Sequence, residues 1–174
     1  LLASIVAAKG EAAAEAWAKG VKENLARKPQ GNDRAQVKAV YQGECDVALG
    51  NTYYMGKMQT NEKSPEQKDW AAAVNLVFPN QKGRGTHVNI SGSGVTKSAK
   101  NKENAIKLIE FLSGDKAQKI YAEGNFEYPV KAGVALPALV ASWGTFKADE
   151  AFLSNVAEQR TLATRIMDRV RFDN

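Results

Sequence analysis

An α/β fold is predicted for this chain of 174 residues, on three observations. Apolar spacings of three and four mark amphipathic helices in both halves of the chain. Short apolar runs bounded by Gly, Pro or Asn, such as "CDVALG" (45–50) and "NLVFPN" (75–80), read as strands of the buried kind. Helical and extended segments alternate along the chain, which argues for mixed sheets flanked by helices.

The elements follow in order. Residues 1–27 are Ala-rich, with Leu2, Ile5, Val6, Ala13, Trp17, Val21 and Leu25 at helical spacing. Gly10 and Gly20 interrupt this stretch, so it is expected as one helix or two. "KPQGND" is a loop that ends in a cap at Asn32 or Asp33, and Ala35, Val37, Ala39 and Val40 form a short helix. After the strand "CDVALG", two helices are expected, over "MGKMQTN" and "SPEQKDWAAAV". The second begins with Ser64 as cap and Pro65 in the first turn. "NLVFPN" stops at Pro79, "QKGRG" is a loop, and "THVNISGSGV" is extended. Residues 102–112 put Ala105, Ile106, Ile109 and Leu112 on one helical face, with Gly114 as the stop. Asp115 caps the next helix, "EYPVKAGVALP" is extended, and residues 158–171 close the chain as a helix with Leu162, Ile166 and Val170 inward.

Composition excludes several classes. Hydrophobic residues at 44% and charged residues at 25% describe a globular rather than a disordered chain. The apolar runs at 71–74 and 132–140 are too short to span a bilayer. A net charge of +5 is spread among acids, with no basic stripe interleaved with aromatics, so nucleic acid is not an expected partner. No signal peptide is visible, and the start at Leu1 reads as a mature or truncated piece. The single cysteine, Cys45, cannot form an internal disulfide, and in an apolar run it reads as a buried, inert thiol. The one histidine, His87, leaves almost no material for a Ser-His-Asp or Cys-His arrangement and reads as a hydrogen-bonded strand residue. Glu44 and Asp46 alternate on a strand without converging. The "SGSG" turn at 91–94 is a weak candidate for an anion cradle.

The distinctive stretch is "ALGNTYYMG" (48–56), where two of the five tyrosines stand side by side. The common arrangement for such neighbours is one ring in the core and one at the surface. The alternative uses the turn. If Gly50 and Asn51 end a strand and Thr52 begins a helix, both phenols can be aimed into one cleft at the strand's C-terminal edge. Two phenolates aimed at one point suit a small, hard, highly charged cation, which makes ionisation favourable. Hard oxygen donors favour Fe(III) over copper or zinc.

"GECDVALGNTYYMGKM", preceded by "PQGNDRAQVKAVYQ" and followed by "GTHVNISGSGVTKSAKNKENAIKLIEFL", resembles the C-terminal half of bacterial periplasmic ferric-iron-binding proteins, the substrate-binding components of iron(III) ABC importers. The resemblance covers nearly the whole chain. It implies part of a two-lobe, type II periplasmic-binding-protein fold, with no catalysis and with paired tyrosine ligands for Fe3+ at Tyr53 and Tyr54. Some members also bind a synergistic anion such as carbonate, with an asparagine at the place of Asn51. The second anion-binding asparagine of the phosphate-using members falls on Asp33, which is unsuited to an anion. The resemblance further implies that residues 1–84 form most of the second lobe and 85–174 return to complete the first. The N-terminal part of the first lobe, with further ligands, is expected to precede Leu1. His87 does not match the family's ligand histidine. The implied partner is an ABC transporter permease in the inner membrane, and the implied location is the periplasm or the outer face of the cytoplasmic membrane. A piece lacking half its cleft is expected to pair with the missing half or to self-associate. The alternative function is a binding protein for a small anion or organic solute instead of a metal.

Overall fold

The computed structural model describes all residues except 152 and 174. The helices of the described residues are, in order, α1 (Leu2–Lys9), α2 (Glu11–Glu23), α3 (Asp33–Tyr41), α4 (Thr52–Gln59), α5 (Glu66–Ala72), α6 (Lys102–Leu112), α7 (Asp115–Asn125), α8 (Ala138–Ser142), α9 (Leu153–Glu158) and α10 (Arg160–Arg169). None is long and apolar enough to cross a membrane. The chain forms two compact units. One combines Leu1–Gln30, Phe78–Val88 and Phe146–Asn174; the other combines Gly31–Val77 and Asn89–Thr145. The chain passes between them four times.

In the first unit, Gly10 decides that the Ala-rich stretch becomes two helices. Its φ of 81° breaks the helical run between α1 and α2, a conformation that glycine adopts without steric cost. Gly20 is tolerated within α2. Ile5, Val6, Ala14, Ala18 and Ile166 form the buried core, with Leu2, Leu162, Met167 and Val170 packed around it. Ala14 and Ala18, one turn apart and fully buried, let the α2 backbone come close to its neighbours. The terminal helix thus turns Leu162, Ile166 and Val170 inward as its spacing predicts.

The segment 84–88 is tied to 147–149 by one isolated parallel bridge, Thr86 to Ala148. The Thr86 amide donates to the Lys147 carbonyl at 2.8 Å, and the Asp149 amide donates to the Thr86 carbonyl at 2.7 Å. Arg84 pairs with Asp149 at 3.0 Å and donates to the Ser4 carbonyl. Gly85 makes this approach feasible: its φ is +95°, and a Cβ there would lie 2.5 Å from the Ala148 oxygen. Gly85→Ala therefore combines left-handed strain with a backbone collision and is expected to cost about 2–4 kcal/mol. A denaturant midpoint for Gly85→Ala equal to that of the unmodified chain would contradict this packing.

In the second unit, Asn32 caps α3 by accepting from the Ala35 amide at 3.2 Å. Met55, Met58 and Ala71 form the core between α4 and α5, supported by Val37, Trp70, Val74, Leu76 and Trp143. The Trp143 indole donates to Gln59 at the end of α4. Gln118 is buried on α7 and is satisfied on both sides, donating to the Leu112 carbonyl and accepting from the Val130 amide.

Several expectations are corrected. Among the described residues no strand is formed, and the expected mixed sheets are reduced to the one bridge. "CDVALG" and "NLVFPN" are not buried: Val47 and Val77 are 80% and 81% exposed. A strand exists only where a partner supplies its ladder of hydrogen bonds, and neither run is assigned as a strand. Cys45, placed in the first of these runs, is only partly covered rather than buried. Helix α6 forms over the expected residues but buries none of them; Ile106 is exposed. Pro65, not Ser64, precedes α5, and Gly114, not Asp115, precedes α7.

Candidate functional site

The paired tyrosines occupy the first turn of α4. Asn51 arrives in extended backbone, with ψ 136°, and Thr52 opens the helix. The Tyr54 amide donates to the Asn51 carbonyl at 3.2 Å, closing the first turn. Thr52 begins a helix as one of the two alternatives required, but no strand ends at Gly50 and Asn51. In mid-helix, neighbouring side chains diverge by about 100°. Here the two rings lie together, with centroids 4.3 Å apart and planes inclined by 31°. Both rings are half-buried. The two phenol rings are therefore packed side by side at the start of α4.

The electrostatics are mixed. The hydrogen bond to Tyr54, then burial, then the charges of Tyr54, Asp33 and Glu127 push the Tyr53 phenol up to about 12. Each ring also has a cation over its face: the Arg34 guanidinium 5.0 Å from the Tyr54 centroid, and Lys57 Nζ 4.9 Å from that of Tyr53. Arg34 Nε is buried without a hydrogen-bond partner among the described residues. Tyr53 is thus neutral in isolation, but the surroundings of the pair hold positive charge that would offset two phenolates once a multivalent cation draws off their protons.

Asn51 does not cap α4 with its side chain. Its backbone amide and its side-chain amide both donate to Asp33 Oδ1, at 2.7 and 3.0 Å. On the opposite side Gly56 lies against Phe126, which ends α7 in the left-handed conformation with φ 59°. The next residue, Glu127, accepts hydrogen bonds from Asn125 and, at 2.9 Å, from Ser91. The hydroxyl of Ser91 is therefore spent on a carboxylate, which gives the "SGSG" turn a neighbour hostile to anions. His87 and Cys45 lie in different units. Burial lowers the pKa of His87, which keeps it neutral. Among the described residues no three of His, Cys, Asp and Glu gather as metal ligands.

Sequence reasoning missed Asp33 as a support, the two cations over the rings, and the wedge of Phe126. A glycine inside a helical pattern was a legible sign of the last, since such a glycine marks a close approach. Nothing local signals the contact of Asp33 with Asn51, which spans 18 residues.

A family model described as bacterial extracellular solute-binding protein matches residues 1–148. The chain is 53% identical over 168 residues to iron uptake protein A1 of Synechocystis, covering 97% of this chain and 46% of that protein. It is 32% identical over 166 residues to the major ferric iron-binding protein of Neisseria meningitidis, covering 95% and 48%. Among solved structures, ferric iron-binding protein A of Mannheimia haemolytica in an open conformation superposes with a TM-score of 0.94 at 49% identity, covering 100% of this chain and 54% of that one. A Trichodesmium protein in complex with iron and citrate ligands superposes equally well, with a TM-score of 0.94 at 48% identity and coverage of 99% and 54%. The chain spans about half the length of the relatives it matches.

Proposed function

Because this chain belongs to the family of bacterial extracellular solute-binding proteins, we propose that it contributes the tyrosine side of a ferric-ion site. Fe3+ is the cargo, held by the phenol oxygens of Tyr53 and Tyr54 and delivered to the permease of an ABC importer. The observation that carries the reading is the packing of the two tyrosine rings against each other in the first turn of α4. The names of the relatives support it, since they are iron-uptake and ferric-binding proteins rather than enzymes. Asn51 supports the pair by fixing the turn, and an anion such as carbonate completes the coordination sphere.

Two neighbouring phenolates fill only part of the coordination sphere of an iron ion. The remaining protein ligands are assigned to the other lobe of a two-lobe fold, outside this chain. The mixed sheets of that fold are completed by the same missing segments, which supply partners for exposed runs such as 45–50 and 75–78. Iron bridging the lobes stabilises the closed state through contacts made only there, and the permease reads that state. This places the protein in the periplasm or tethered to the outer face of the cytoplasmic membrane. Without its other half, the chain is prone to self-association through its exposed apolar residues.

Proton release tests the reading. The Tyr53 phenol, raised to about 12, is protonated at neutral pH, so binding as phenolate must expel its proton. Iron affinity at fixed free Fe3+ is then expected to rise with pH through the neutral range, by roughly tenfold per pH unit for each proton released. A competitor of known pH dependence measures the slope. A slope of zero would remove the phenols from the coordination sphere. A small anion held by Arg34 and Lys57 is the second reading, favoured by the two cations over the rings. It predicts a colourless complex and an affinity that does not depend on iron.

A further inference from the structure

We propose that Gln81 is the pin of a clamp that binds the segments 78–88 and 146–149 into one piece, so that three of the four chain passages between the units move together. Those passages lie at 77–78, 88–89 and 145–146, and each enters the first unit at an end of one of these segments. At the first and third, the entering residues Phe78 and Phe146 stack their rings, with centroids 4.6 Å apart and planes inclined by 19°. Behind the stack, the side-chain amide of Gln81 takes the place of a neighbouring strand's peptide group. Its Oε1 accepts from the Lys147 amide at 2.7 Å, and its Nε2 donates to the Lys147 carbonyl at 3.2 Å. The same Nε2 reaches Thr86 Oγ1 at 2.9 Å, and that hydroxyl donates to the Pro79 carbonyl at 2.7 Å. One side chain thus ties the outgoing arm of 78–88, its returning arm and the adjacent segment. Lys147 Nζ adds a bond to the Gly83 carbonyl at 2.9 Å, over the turn between the arms. Hydrogen bonds that share partners in this way strengthen one another and open as a unit. Beyond the clamp the chain is open: residues 91–94 are exposed, and a Cβ at Gly92 or Gly94 would meet nothing within 4 Å. Rearrangement of one unit against the other therefore falls on chain outside the clamp, such as 89–94. The functional meaning rests on the ferric-ion reading, because iron is what selects among arrangements, but the clamp itself is independent of iron.

Hydrogen exchange followed by NMR on the iron-free, unmodified chain tests the clamp. The amides of Thr86, Lys147 and Asp149 all donate inside it. They should share one opening free energy, with protection factors equal within about a factor of three. Gln81→Ala should lower all three together by about tenfold, while amides in the core of α1 and α2 keep theirs. Phe146→Leu removes the stack at the other end of the clamp and should lower the same three; it decides the matter if Gln81→Ala does not fold. A Gln81 of local importance alone would release only the Lys147 amide, the one of the three that it bonds. That result, unequal protection in the unmodified chain, or Phe146→Leu leaving all three untouched overturns the proposal. Loading with iron should leave the three amides at a common rate, and separate rates in the loaded chain also overturn it. Failure to bind iron would remove the tyrosine reading and leave the iron-free arms to decide the clamp.

Discussion

Tyr53→Phe and Tyr54→Phe are each expected to lower ferric-ion affinity by at least a factor of about 100, and the double variant by more. The scale follows from a comparison. Residues that merely support a metal ligand cost 10–100-fold when removed, and a direct ligand must cost more. Phe keeps the ring and therefore the 4.3 Å packing of the pair, so the loss reports the oxygen and not the fold. Competition against citrate measures it, with the denaturation midpoint as the control for folding. Either single variant holding iron as tightly as the unmodified protein would show that its oxygen is not a ligand.

Gly56→Ala is expected to have the next largest effect, and through a different cause. A Cβ at residue 56 would lie 2.2 Å from Cγ of Phe126 and 2.7 Å from its Cβ. Those atoms belong to the fixed base of the side chain, and the backbone of Phe126 is itself held left-handed with φ 59°. Neither partner yields easily, so overpacking of about 1–3 kcal/mol is expected. Relief comes by shifting α4 away from α7, and that shift carries Tyr53 and Tyr54 with it. Iron affinity should therefore fall together with stability, although residue 56 has no donor atom. Phe126→Ala in the Gly56→Ala background should restore part of both, and a double-mutant cycle isolates the coupling. Strict additivity in that cycle would mean that the two residues do not meet.

The helices were legible because their evidence is local. The spacing of Leu162, Ile166 and Val170 predicted the inward face of α10, and Gly10 and Asn32 marked where α1 stops and α3 starts. The short helices α8 and α9 carry no comparable period and were not read. The strands failed for a non-local reason. An apolar run such as "CDVALG" states that it would pair if a partner came, and the partner lies nowhere in the same run. Val47 and Leu49 are accordingly exposed. The site divides the same way. Asn51, Thr52 and the tyrosines are contiguous, so their turn could be reasoned from the sequence. Asp33 and Phe126 reach the same helix from afar, and no pattern in the chain announces them.

The most direct test of the central claim is resonance Raman spectroscopy of the protein loaded from ferric citrate, excited within its visible absorption. Fe(III)–phenolate ligation predicts a charge-transfer band with enhanced tyrosinate ring modes, weakened in each single Phe variant and absent when both Tyr53 and Tyr54 are Phe. Iron bound with undiminished affinity but without those modes, or with modes that persist in the double variant, would contradict the account.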